Sequence, residues 1–251
     1  MRVYCYVPFF YFQQTRLNNW KALVFHGVYE WIPVMIFALY SLPEYGTVLG
    51  LLLYYLAFIS IYEIGYLAND QLAHGENEGR KRIDRLSKDR IALFVIIRLM
   101  IFLLITYFQL QMHSTLWWGW YLVLALQFTL HNVATLPSLK AITFSSLAFI
   151  RFLSPVIVLV SSSLIITLLL PVFINYVLFR LFIYLDSKGM LGKFERRLNE
   201  YRIGYYLMLF GFSAILSLIL NSWIPLAFNL YYFFVAIIFA IFPSSRHSFS
   251  T

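Results

Sequence analysis

The sequence predicts an all-α fold, a polytopic transmembrane bundle of about eight to nine helices formed by a single domain over residues 1–251. Three observations predict it. Of the 251 residues, 61% are hydrophobic and 12% are charged, whereas a soluble domain averages about 45–50% apolar and about 25% charged residues. Apolar stretches of about 20 residues, the length that crosses the hydrocarbon core, recur along the chain. Basic residues are concentrated in alternate connections between these stretches.

Eight apolar stretches are predicted to span the membrane, separated by short polar or proline-containing connections. Pro33 and Pro155 lie inside such stretches and are predicted to kink their helices. Trp117, Trp118 and Trp120 cluster where the fourth stretch begins, which is typical of an aromatic belt at the membrane interface. The predicted spans cover residues 22–42, 47–68, 91–110, 115–132, 141–160, 162–184, 203–220 and 223–242.

Two of the connections are strongly polar. Residues 71–90 carry six basic and four acidic residues, and residues 186–202 carry five basic and three acidic residues. If the N-terminus lies on their side of the membrane, that side holds sixteen Lys and Arg residues and the opposite loops hold none. Basic residues in short loops mark the cytoplasmic side. We therefore expect an integral protein of the bacterial inner (plasma) membrane, whose N-terminus and polar loops are cytoplasmic.

Charge and cysteine content exclude some function classes. The formal net charge is +8, but its bases lie between membrane spans, so nucleic acid is not the expected partner. Cys5 is the only cysteine. A disulfide within the chain and a cysteine-based metal site are therefore both excluded.

The connection after the second span contains residue types suited to phosphate chemistry. Asn69 and Asp70 end the span, Glu76 and Glu78 follow within two helical turns, and Arg80 to Arg82 come next. Mg²⁺ is usually held by one or two carboxylates together with substrate phosphates. Nearby bases can bind the remaining phosphate oxygens. The same charges also occur in an ordinary solvated loop, so this reading stays open alongside the functional one.

The order of these residues resembles the UbiA superfamily of intramembrane prenyltransferases, whose first motif is an Asn-Asp pair at the end of the second helix. Residues 136–144, with Lys140, are similar to the family's short basic loop after its fourth helix. Asp186 stands where the family has its second acidic motif. The chain departs from the family at Ala73 and Asn77, where the family usually has Asp. The matching positions of the first motif are Gly65, Tyr66, Asn69, Asp70, Arg80, Lys81 and Arg82.

The resemblance implies a UbiA-like helical bundle around a cavity open to lipid, with Mg²⁺ as cofactor. It implies that Asp70 and Asp186 are catalytic and that Asn69 helps to bind the substrate. The resemblance also implies that the protein acts on an isoprenoid (di)phosphate lipid and that the acceptor is a small molecule, which the sequence does not identify. The metal ligands it implies are Asp70, Glu76, Glu78 and Asp186. The phosphate-binding bases it implies are Arg80, Arg82 and Lys140.

Charged residues inside the predicted spans are a separate signal. An ionisable side chain at the bilayer centre costs about 2.5–3.5 kcal/mol even on the insertion scale, and such residues are functional candidates. Glu63 lies seven residues before Asp70 on the same helix face, so it is predicted to pair with an arginine and, with Arg151, to shape a substrate cavity. Purely structural ion pairs, or snorkelling of Arg98 and Arg180 to the interface, are the alternative.

Three functions are therefore left open by the sequence. The first is Mg²⁺-dependent prenyl transfer to an unknown acceptor. The second is phosphoribosyl transfer to a polyprenyl phosphate on the same scaffold, which needs the same metal and a diphosphate leaving group. The third is a non-catalytic membrane protein that binds lipid or acts as a scaffold, which the absent acids at positions 73 and 77 favour.

Overall fold

The computed structural model describes residues 3–17, 19–41, 47–72, 86–109, 111–160, 162–191 and 199–241. Throughout these residues the regular structure is helical, with no strand. They belong to two compact units, Met1–Val160 and Ser161–Thr251. The expectation of a single domain stays a prediction.

The described part of the first unit begins with a short 3₁₀ turn, Val3–Tyr6, and continues with seven α-helices. Asn19, Ser87 and Ser114 each accept a backbone N–H from the following helix through the side chain, which caps α2, α5 and α6. Its helices are α1 (Phe10–Arg16), α2 (Trp20–His26), α3 (Ile32–Ser41), α4 (Thr47–Leu72), α5 (Lys88–Phe108), α6 (Thr115–Val133) and α7 (Pro137–Leu153).

A π-helical turn, Gly27–Trp31, joins α2 to α3 without a break. The N–H of Ile32 donates to the carbonyl of Gly27, five residues earlier. The next residue, Pro33, has no N–H to donate, and the widened turn directly precedes it. The kink expected at Pro33 stays a prediction. Glu30 lies in this π turn and is buried.

Pro155 has a different effect, because it ends a helix instead of kinking one. The predicted span over residues 141–160 is helical only to Leu153, and residues 154–159 form turns. Pro155 has no backbone N–H, so it cannot donate the next hydrogen bond of the helix. The helix α7 therefore ends before the predicted span does. It also begins earlier than that span, at Pro137.

The described residues of the second unit form three long helical segments. In the first, α8 (Ser162–Val172) and α9 (Leu178–Ser187) are joined by a second π-helical turn, Phe173–Val177. The segments that follow are α10 (Asn199–Ile219) and α11 (Ile224–Ile241). Asn175, Tyr206 and Asn229 form a buried polar contact between these segments.

Among the described residues, six helical segments are long and apolar enough to cross a bilayer, which indicates an integral membrane protein. The prediction of membrane helices is confirmed in this sense, while the count of eight spans stays a prediction. The helices α6 and α7, which correspond to two of the predicted spans, are not among the six. The helix α7 has 17 residues, and α6 contains three tryptophans together with Gln127, His131 and Asn132. The six are Trp20–Leu39, Val48–Gln71, Lys88–Phe108, Ile165–Ser187, Glu200–Ile219 and Ile224–Ile241.

An aromatic core packs α4, α5 and α6 together. Trp117 is 1% exposed, stacks on Phe102 with the ring centroids 5.7 Å apart, and donates its indole N–H to Thr106. The indole N–H of Trp120 donates to Ser154. The interfacial belt predicted for this cluster is therefore wrong for Trp117, which fills the core of the first unit.

Candidate functional site

The polar groups of the first unit gather around the last three turns of α4. Glu63, Tyr66 and Asp70 recur at spacings of three and four residues, so they lie on one face of the helix. Each contacts a residue from another element. Because Glu63 and Asp70 are charged and largely buried, their partners are needed to compensate burial.

Glu63 forms a fully buried ion pair with Arg98 of α5. Its Oε2 atom lies 2.6 Å from a terminal nitrogen of Arg98, and both side chains are 0% exposed. The Oε1 atom accepts the backbone N–H of Phe12 at 2.7 Å. The prediction that Glu63 pairs with an arginine is confirmed, and its partner is Arg98, so this arginine is not a snorkelling residue.

Arg98 also binds the backbone of the N-terminal segment, which we define as residues 3–16. Its guanidinium donates to the carbonyl oxygens of Cys5, Tyr6 and Val7. A guanidinium has five N–H donors in a rigid plane, and here a carboxylate and three carbonyls accept from them. The N-terminal segment is thereby attached to α4 and α5.

Asp70 pairs with Arg16 from the C-terminal end of α1. The two guanidinium nitrogens of Arg16 lie 2.8 Å and 3.2 Å from the two carboxylate oxygens of Asp70. The hydroxyl of Tyr11 donates to Oδ2 of Asp70 at 2.8 Å. The side chains of Arg16 and Asp70 are only 12% and 7% exposed.

The environment of Asp70 also affects the titration of its two partners. Burial, and then the charge and hydrogen bond of Asp70, raise the pKa of Tyr11 well above its ordinary value. Burial alone would lower the pKa of Arg16, but its hydrogen bond to Asp70 and the neighbouring charges raise it by more. The Tyr11 hydroxyl therefore stays protonated and Arg16 stays charged.

A third ion pair joins the π turn to α7. A terminal nitrogen of Arg151 lies 2.6 Å from Oε1 of Glu30, and the Nδ1 atom of His26 lies 2.7 Å from Oε2. The other terminal nitrogen of Arg151 lies 3.4 Å from the hydroxyl of Tyr66. The predicted cavity residue Arg151 is therefore engaged by Glu30.

Tyr66 lies between two of these ion pairs. The guanidinium of Arg16 stands 4.3 Å above its ring, and the ring of Phe12 stacks on it with centroids 5.6 Å apart. Its hydroxyl points to Arg151, so a continuous series of contacts leads from Asp70 through Arg16, Tyr66 and Arg151 to Glu30. This series connects the end of α4 to the interior of the first unit.

Close packing at one glycine fixes the position of Tyr66. A Cβ atom on Gly65 would lie 2.4 Å from ring carbons of Phe128 on α6. Tyr66 and Tyr62 also make edge contacts with the same ring. Glycine at position 65 therefore permits α4 and α6 to approach closely enough for this aromatic cluster to form.

The remaining predicted site residues are not brought to this cluster by any described contact. Asn69 is partly exposed near the end of α4, and Lys140 is partly buried in the first turn of α7. Asp186 lies in the last turn of α9, in the second unit. Their predicted roles, and the convergence of Asp70 with Asp186, stay predictions. Four predicted residues lie outside the described part of the chain: Glu76, Glu78, Arg80 and Arg82.

The described residues do not fit the Mg²⁺ that the family resemblance implies. Both oxygens of Asp70 accept from Arg16, and one of them also accepts from Tyr11. Glu30 and Glu63 are held by arginines in the same way. Within the described ranges, no group of three or more His, Cys, Asp or Glu side chains is placed to hold a metal ion. A Mg²⁺ site at Glu76 and Glu78 stays a prediction.

Sequence reasoning missed the N-terminal segment as part of the site. Arg16 precedes the first predicted span and is one of the sixteen Lys and Arg residues expected on the cytoplasmic side, and no role was predicted for Tyr11. The signal is faint, because α1 is only seven residues long. Its buried residues Tyr11, Phe12 and Thr15 nevertheless follow helical spacing, which indicates one packed face.

Comparison with known proteins does not identify a relative. No protein-family model matches the chain, and neither a curated protein nor a solved structure matches it.

Proposed function

We propose that the protein is a UbiA-like intramembrane transferase that acts on a polyprenyl (di)phosphate at the cytoplasmic face of a plasma membrane. The observation that carries this proposal is the group of ion pairs around α4. Three arginines and three acids lie inside an apolar bundle, at the helix that ends in Asn69-Asp70. Intramembrane charges are costly, and where they persist they usually mark a substrate path.

The chemistry of the cluster supports an amphipathic substrate with an apolar chain and an anionic end. An isoprenoid chain can lie among lipid-like side chains at no electrostatic cost, while its phosphate needs a cation. Arg151 lies beside Tyr66 and supplies planar, permanently charged donors suited to phosphate oxygens. Phe12, Tyr62 and Phe128 supply aromatic surface beside them.

In this proposal the residues of the chain bind and orient the substrate. Arg151, held in place by Glu30, would receive negative charge as the phosphate or diphosphate group leaves. Preorganised donors of this kind stabilise the developing charge because they need little reorganisation during the reaction. The Tyr66 ring would separate the isoprenoid chain of the substrate from its charged phosphate end.

Two transfer reactions fit this proposal. In the first, an isoprenoid diphosphate loses its diphosphate and the prenyl group passes to an acceptor. In the second, a polyprenyl phosphate attacks phosphoribosyl diphosphate and releases diphosphate. Purified protein in lipid nanodiscs, incubated with labelled prenyl diphosphates and separately with polyprenyl phosphate plus labelled phosphoribosyl diphosphate, distinguishes them. We expect a labelled lipid product in one incubation; consumption of neither donor contradicts both reactions.

The variant that tests the site is Arg151→Met, with Asp89→Asn as its matched control. Asp89 is an exposed acid in the first turn of α5 and lies outside the cluster. We expect Arg151→Met to lower the rate by about 100-fold or more, the range seen when a preorganised donor is removed. Equal rates in both variants would show that the cluster takes no part in transfer.

A second candidate is a non-catalytic protein that binds lipid or serves as a scaffold. It is favoured by the pairing of Glu30, Glu63 and Asp70, because each of these acids already has a cationic partner. The nanodisc experiment separates the two candidates. Stoichiometric binding of polyprenyl phosphate without turnover of either donor, measured by native mass spectrometry, supports the scaffold.

A further inference from the structure

The short helix α1 is held to α4 at two points. Near its N-terminus, the N–H of Phe12 donates to Glu63, and at its C-terminus Arg16 pairs with Asp70. Phe12 precedes Arg16 by four residues, and Glu63 precedes Asp70 by seven. Tyr11, next to Phe12, also donates to Asp70, so α1 packs along the last turns of α4 through both acids.

The placement of these acids is electrostatically favourable for α1. The α1 helix has no side-chain cap of its own at Phe9, so the carboxylate of Glu63 takes the place of a capping side chain. Arg16 lies in the last turn of α1, where a cation interacts favourably with the helix dipole. Sequence and contacts thus agree on one docked position for α1.

We infer that Arg16 is the resident counter-ion of Asp70, in the position where the family resemblance puts a divalent metal. Asp70 then serves to anchor the N-terminal segment, and a metal does not bind to it while α1 is docked. The three hydrogen bonds from Arg16 and Tyr11 already supply what a bound cation would supply, namely positive charge against both carboxylate oxygens.

Displacement of Arg16 by a metal ion would be unfavourable for the segment as a whole. It would leave a guanidinium that is 12% exposed without its carboxylate, and breaking one side of a buried ion pair is strongly destabilising. It would also loosen α1, whose Tyr11 and Phe12 are 0% and 2% exposed. The packing therefore favours a permanent contact over an exchangeable one.

This inference does not rest on the proposed transferase activity, because it concerns only what binds Asp70. Its test accordingly uses no substrate. If the transfer assays fail, the assignment of Arg16 as the counter-ion of Asp70 is unaffected. If that assignment fails, the transferase proposal stays open.

The chain contains its own reporter for docking of α1, because its single cysteine lies in the N-terminal segment. Cys5 is 0% exposed, and its carbonyl accepts from Arg98. A maleimide reacts with Cys5 only when the segment opens, so the labelling rate in nanodiscs measures docking. We expect slow labelling of the wild type and labelling faster by at least about tenfold in Asp70→Asn and in Arg16→Gln.

The decisive variant exchanges the two charges, Arg16→Asp together with Asp70→Arg. If the two residues form an ion pair, the exchanged pair restores slow labelling toward the wild-type rate. An arginine at position 70 cannot bind a divalent cation, so a metal-ligating Asp70 gives no such recovery. Asp89→Asn is the control and should label at the wild-type rate.

Binding of Mn²⁺, followed by electron paramagnetic resonance, completes the test. We expect the Asp70→Asn variant to bind Mn²⁺ to the same extent as the wild-type protein. A stoichiometric Mn²⁺ site that disappears in Asp70→Asn overturns the inference. So does an exchanged variant in which Cys5 labels as fast as in the single variants.

Discussion

Gly65 and Phe128 bring α4 and α6 into direct contact, since a single added methyl group at position 65 would overlap the phenyl ring. The distance from such a Cβ to the nearest ring carbons is 2.4 Å. Phe128 is 6% exposed and is packed against Tyr62 and Tyr66, so its ring has little freedom to move. This contact gives the first prediction.

Gly65→Ala should destabilise the protein by about 1–3 kcal/mol, the usual cost of overpacking. Gly50→Ala is the matched control on the same helix, because a Cβ there meets nothing within 4 Å. That control should be neutral or stabilising by up to about 1 kcal/mol. Unfolding of both variants by SDS titration in mixed micelles measures the difference. Gly65→Ala combined with Phe128→Leu should recover part of the loss, and equal stabilities of the two alanine variants would contradict the prediction.

Glu63→Gln should lower stability by about 3–5 kcal/mol, because it leaves Arg98 buried without its counter-charge. Glutamine retains an oxygen for the N–H of Phe12, so the loss reports mainly on the charge. The double variant Glu63→Gln with Arg98→Gln should lose less than the sum of the single variants, as expected of a directly coupled pair. Additive losses in the same unfolding assay would show that the two residues do not interact.

Tyr66→Phe and Tyr66→Leu separate the ring of this residue from its hydroxyl. The hydroxyl contacts Arg151 and Tyr62 only at 3.4 Å, so the phenylalanine variant should lose about 1 kcal/mol or less. The leucine variant lacks the ring on which Phe12 stacks and over which Arg16 stands. Its free energy of unfolding should be about 2 kcal/mol lower than that of the phenylalanine variant. A larger effect of phenylalanine than of leucine would assign the role to the hydroxyl.

Alkaline pH should weaken the contact of Tyr11 with Asp70. Burial and the neighbouring carboxylate raise the pKa of Tyr11 in the folded protein above its ordinary value of 10.0. A group with a raised folded pKa contributes stability below its unfolded pKa and loses this contribution as the pH rises toward the folded pKa. The stability difference between the wild type and Tyr11→Phe should therefore shrink above about pH 10. A difference that grows with pH would contradict this sign.

In the second unit, Asn229→Leu should weaken the contact of α11 with its neighbours. The Asn229 amide donates to the side-chain oxygen of Asn175 at 3.1 Å and to the carbonyl of Tyr206 at 3.2 Å. Interhelical hydrogen bonds in membranes contribute about 0.6–2 kcal/mol each, and we expect a loss in that range. Met208→Leu, on the exposed side of α10, is the control and should be neutral. Thermal unfolding in detergent would show both.

Much of the helix pattern followed from apolar length alone. The predicted spans over residues 115–132 and 162–184 nearly coincide with α6 and with the segment from α8 to α9. Hydropathy does not report the local effect of a proline. It therefore does not predict that α7 ends at Leu153, shortly before Pro155, or that a π turn precedes Pro33. Tertiary contacts decide between these outcomes.

The site was predictable where a charge stood inside an apolar stretch. Glu63 required a partner on energetic grounds, but three intramembrane arginines were available and the sequence could not choose Arg98 among them. The pairing of Arg16 with Asp70 was hidden, because Arg16 precedes the first span and resembles a tail residue. Long-range contacts of this kind depend on how α1 folds back, which no local pattern records.

The attachment of the N-terminal segment to Arg98 has a consequence for biosynthesis. The carbonyls of Cys5 and Val7 meet a side chain that leaves the ribosome more than 90 residues after them. The backbone of residues 5–7 therefore has no contact with Arg98 until α5 has been synthesised. Attachment of residues 3–16 is thus a step that follows the synthesis of α5, although these residues precede α5 in the chain.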